Sequence, residues 1–85
     1  TLTLRASGDG NPYAIKIDVD GEIDGSARIE LLLRSEPYRS ETLRNTVRVR
    51  WGGDWYSPEA VVRYTPQSVR GGRITVRYQF EMLQK

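Results

Sequence analysis

The segment Trp51-Gly52-Gly53-Asp54-Trp55-Tyr56-Ser57-Pro58 holds the most distinctive side chains in this sequence. Two glycines let a backbone turn sharply and approach a ligand closely. Asp54, Trp55 and Tyr56 supply the rings and the hydrogen-bonding carboxylate that together hold a sugar or another small ligand. Trp51 closes an alternating stretch and reads as core. The competing reading folds Trp55 back as a cap over one end of the core, and quenching of the indoles separates the two.

A second constellation is ionic. Eleven of the thirteen basic residues are arginine, whose planar guanidinium makes paired hydrogen bonds to phosphate, sulfate or carboxylate. Residues 1 to 42 carry five basic against eight acidic groups, and residues 43 to 85 carry eight against three. The net charge of +2 therefore hides a basic second half. Stretches 45 to 51, 59 to 65 and 73 to 81 read as a three-stranded meander. That order would place Arg48, Arg50, Arg63, Arg73 and Arg77 on one outer face, with Glu59 and Glu81 diluting it. Such a face fits an acidic polymer, an acidic protein or an acidic glycan; the alternative is a set of solvated side chains that keep the sheet soluble. Val47, Val49, Trp51, Tyr64 and Tyr78 fall on the opposite parity, so base-stacking rings do not interleave with the arginines. This argues against a nucleic-acid partner.

A third group, Asp18, Asp20, Glu22 and Asp24, alternates across two Asp-Gly dipeptides and is a weak calcium candidate. Its spacing does not match the twelve-residue calcium loop, and a solvated hairpin accounts for it without metal. Catalysis is disfavoured. With no cysteine and no histidine, the usual nucleophile, general base and zinc ligands are missing, and Ser57 and Ser68 have no base of the ordinary kind. The sequence also contains no phosphate loop or dinucleotide fingerprint, so no cofactor is expected.

These side chains need elements to hold them, and the dominant period is two. Ile15, Ile17 and Val19 alternate with polar residues, as do Ala27, Ile29, Leu31 and Leu33, then Val47, Val49 and Trp51, and then Ile74, Val76, Tyr78 and Phe80. Ala60, Val62 and Tyr64 give a shorter strand, and Leu2 with Leu4 another. Ser7 to Pro12, Asp20-Gly21, Asp24-Gly25, Gly52-Gly53 and Gly71-Gly72 read as turns, and Pro37, Pro58 and Pro66 fall outside the strands. Eighty-five residues make one domain. The expected fold is an antiparallel two-sheet sandwich of six or seven strands, loosely immunoglobulin-like, with a small barrel as the alternative.

Leu32 and Val61 are apolar residues on outer parities; were they adjacent, a partner or dimer surface would follow. No run is long and apolar enough for a membrane helix, and no signal-peptide pattern is present. The chain opens on Thr1, as a processed or excised domain would. Compartment and oligomeric state are left open. The function expected is that of a non-catalytic binding module: first through the arginine face, alternatively through the aromatic loop, or else an assembly domain that pairs sheet edges.

Overall fold

The computed structural model describes residues 1–7 and 10–83; Gly8 and Asp9, in the turn read between Ser7 and Pro12, lie outside them. Buried positions 15, 17, 19, 23, 27, 29 and 31 all share odd parity. One face of a single strand therefore stays apolar across both Asp-Gly dipeptides. The strands are β1 (Leu2–Arg5), β2 (Asn11–Leu33), β3 (Glu36–Asp54) and β4 (Glu59–Leu83). All pairings are antiparallel, and the order in the sheet is β1-β4-β2-β3.

The all-β reading holds, but the strand count does not. Segments 15–19 and 27–33 are the two ends of β2, and 59–65 and 73–81 are the two ends of β4, so four strands in one sheet stand where six or seven in two sheets were expected. No pairing joins β1 to β3 among the described residues, so the sheet does not close into a barrel. The meander is also corrected, since β2 lies between β3 and β4.

Glycine explains the merger. Gly21 and Gly25 sit on the inward parity of β2 with φ of +155° and +129°, and a Cβ there would fall on the carbonyl of Arg73 or of Ser68 in β4. The Asp-Gly dipeptides thus bend one strand instead of ending two. Register shifts flank this corner, between Glu22 and Ser26 and between Asp24 and Gly25. Three prolines read as turn or loop residues lie inside strands. Pro12 is near the start of β2, Pro37 near the start of edge strand β3 and Pro66 within β4, and each stands beside a register shift, where the ladder is already irregular.

The bend doubles the sheet back on itself. Asp54 pairs with Ala14 near the start of β2, while Val61 pairs with Leu32 near its end. The chain from Asp54 to Val61 reaches at most about 25 Å, whereas Ala14 to Leu32 would span about 60 Å if straight. The two ends of β2 must therefore lie close together, and the longest dimension of the whole molecule is 47 Å. Ile15, Ile17, Val19, Val47, Val49 and Trp51 on one half join Leu4, Ala27, Ile29, Leu31, Ala60 and Val62 on the other in a single core. Each buried aliphatic side chain contributes about 1.5–3 kcal/mol, which makes this cluster the main force holding the bend.

Candidate functional site: an aromatic groove where the strand ends meet

Trp55 leaves the end of β3 and fastens three strand ends. Its backbone N–H donates to the Tyr13 carbonyl (3.0 Å) and its indole Nε1–H to the Glu59 carbonyl (2.9 Å). The ring meets Tyr38 edge-on, with centroids 6.1 Å apart, and is only 5% exposed. This is the geometry of the cap considered for Trp55. Its neighbour faces the other way: Tyr56 is 73% exposed.

Around this plug lies an open groove of about 760 Å³, lined among others by Leu32, Tyr38, Asp54, Trp55, Tyr56 and Val61. Leu32 and Val61 are direct register partners, so the adjacency that would make an apolar surface of them is met. Tyr38, half exposed, carries the Arg39 guanidinium 5.3 Å from its ring centroid. In the sequence Tyr38 stands apart from the alternating stretches, in Ser35-Glu36-Pro37-Tyr38-Arg39. It reaches the groove because Arg34 and Ser35, both with positive φ, make a two-residue hairpin that returns β3 beside the end of β2. The site thus offers two accessible phenol rings, an aliphatic pair and the Asp54 and Glu59 side chains.

The arginine face is placed differently from expectation. Arg48 and Arg50 flank one side of β2, opposite Asp20 and Asp18; Arg73 and Arg77 flank the other, opposite Glu22 and Asp18. Arg63 is not among them: it belongs to the other half of the sheet, where it pairs with Glu30. Arg63 and Arg73 lie toward opposite ends of one strand, because the Gly71-Gly72 pair that reads as a turn continues β4. Acidic first half and basic second half interleave strand by strand. The outer face of this half sets Lys16, Arg48, Arg50, Arg73 and Arg77 against Asp18, Asp20, Glu22 and Glu81. Arg50 bridges Asp20 (2.9 Å) and Asp18 (3.5 Å), and Lys16 bridges Glu81 (3.3 Å). Arg48, Arg73 and Arg77 make no ion pair among the described residues.

Asp18, Asp20, Glu22 and Asp24 stand along β2 and its corner, with the first two held by Arg50. Among the described residues, no three carboxylates converge in a way that could hold a metal ion. No family model matches this chain, and no curated protein and no solved structure matches it significantly.

Proposed function

We propose that the protein is a non-catalytic binding module whose ligand, a neutral saccharide, lies in the groove between Tyr38 and Tyr56. The observation that carries this reading is the division of labour in the aromatic loop. A buried, hydrogen-bonded Trp55 fixes the loop, while Tyr56 stands free in solvent and Tyr38, half exposed under the Arg39 guanidinium, lines the same groove with Asp54 and the Arg5-paired Glu59. A rigid platform loses little entropy on binding, and sugar C–H faces stack on rings while hydroxyls bond to carboxylates. The doubled-back sheet, read as a sandwich-like scaffold, supports the site at the end where its strands converge.

Titration of labelled protein with neutral oligosaccharides, followed by proton–nitrogen correlation spectra, tests this. The Trp55 indole N–H and the amides of residues 54 to 57 should shift, with the shifts persisting in high salt. Signals there that stay fixed at saturating sugar would overturn the proposal. A second reading keeps an acidic ligand on the outer face, supported by the unpaired Arg48, Arg73 and Arg77. Its signature is opposite: shifts at residues 46–50 and 73–77 that vanish with salt, because exposed charges are screened within about 8 Å at physiological ionic strength.

A further inference from the structure

β1 covers only Glu59 to Val62 of the outer side of β4, and beyond Val62 that side has no strand beside it among the described residues. The run Arg73 to Met82 contains neither proline nor glycine and is rich in β-branched and aromatic residues. Its inward row, Ile74, Val76, Tyr78 and Phe80, is only partly covered. An apolar groove of about 410 Å³, lined in part by Ile23, Val69, Ile74 and Val76, opens beside it.

The opposite edge of the sheet is blunted. β3 carries Pro37 second from its start, places Arg39 and Glu41 on the parity of its core residues, holds Asn45 at φ +54°, and has Gly52-Gly53 just before its end. Proline, charge on the apolar row and an interrupted backbone are the devices that keep an edge from pairing. β4 lacks them from residue 73 to residue 82.

We infer that this edge is an interface between two copies of the chain, joined antiparallel about a two-fold axis through Val76. Side chains of paired residues share a face, so a symmetric pairing must match even positions with even ones to keep the apolar rows together. With Val76 on the axis, Ile74 meets Tyr78 of the second copy, and Phe80 meets Gly72, the pairing of a large ring with a glycine that strands favour. On the outer face Arg77 meets Thr75, and Arg73 meets Gln79. No like charges stand directly opposite. Shifting the axis one residue, to Arg77, would set two guanidinium groups face to face. Axes through Ile74 or Tyr78 also keep like charges apart, but only the axis through Val76 sets Phe80 against a glycine, and isologous pairing closes at a dimer instead of propagating.

The absence of cysteine makes the register directly readable. Sedimentation should show a monomer–dimer equilibrium that persists in high salt. Under mild oxidation Val76→Cys should cross-link to itself, whereas Ile74→Cys and Tyr78→Cys, displaced along the strand, should not. Thr75→Lys puts an ammonium opposite Arg77 of the second copy twice over, so association should weaken by about tenfold. Adding Arg77→Gln to the same chain removes the opposed charge without setting an acid against Asp18 of β2, and should restore it. Thr75 is exposed, so circular dichroism should show both variants folded. A chain that stays monomeric at all concentrations, cross-linking centred elsewhere, or failure of the second substitution to rescue the first would each overturn the proposal.

Discussion

Arg63 reaches across from β4 to Glu30 on β2 with two nitrogens on one carboxylate oxygen, Nε at 2.9 Å and a terminal nitrogen at 2.8 Å. The two are direct register partners, and Glu30 is only 5% exposed, with Arg28 also near, at 3.7 Å. A carboxylate stripped of water needs this compensation. Removing the guanidinium by Arg63→Ala should lower unfolding free energy by about 1–3 kcal/mol, the range of hydrogen bonds to charged groups, with Arg63 itself partly in water. Glu30→Gln in the same background should recover part of the loss. Denaturant unfolding of the two variants checks both statements.

Trp55 should behave as a strut. Trp55→Phe keeps a ring but loses the bond to the Glu59 carbonyl, an expected loss of about 1 kcal/mol, while Trp55→Ala should lose about 3–5 kcal/mol. Because both Trp51 and Trp55 are buried, acrylamide should quench neither indole efficiently in the folded protein.

The corner glycines give a sharper contrast. Gly25→Ala combines a positive φ with a clash on the Ser68 carbonyl, whereas Gly71 has ordinary φ and open space around it. The first substitution should destabilise by about 2 kcal/mol or more; the second should be neutral or stabilising by about 0.4–1 kcal/mol, through the unfolded chain. Thermal melts of the pair decide it.

Tyr56 is the residue that separates binding from stability. Its ring is free of the core, so Tyr56→Ala should leave unfolding within about 0.5 kcal/mol of the parent. The saccharide-dependent shifts of the Trp55 indole should disappear in the same variant.

Much of this architecture is legible as alternation. The odd-numbered core of β2, the inward Trp51 and the outward arginines all follow from period two. What period two cannot say is where a strand ends. An Asp-Gly pair serves a hairpin or a corner equally well, and only the neighbouring strand, which places the Arg73 and Ser68 carbonyls against Gly21 and Gly25, selects the corner. The true hairpin at Arg34-Ser35 carries neither glycine nor asparagine, so the turn that fixes strand order has no local signature. Arg63 parts from Arg73 and Arg77 because Gly71-Gly72, which reads as a turn, lies inside β4. In the groove, Asp54, Trp55 and Tyr56 are visible in sequence. Tyr38 is not, because it arrives through strand pairing.

The continuity of β2 also dictates how the chain must fold. Asn11 pairs with Leu83 and Leu33 with Glu36 on the same strand, so its ladder mixes the nearest and the most distant pairings of the sheet. The hairpin at residues 33–36 can form early and locally, but β4 must then lay itself along the full length of β2, closing ever larger loops. Folding of this domain should be slow for its size and cooperative to the end, with no half of the sheet able to persist as an intermediate on its own.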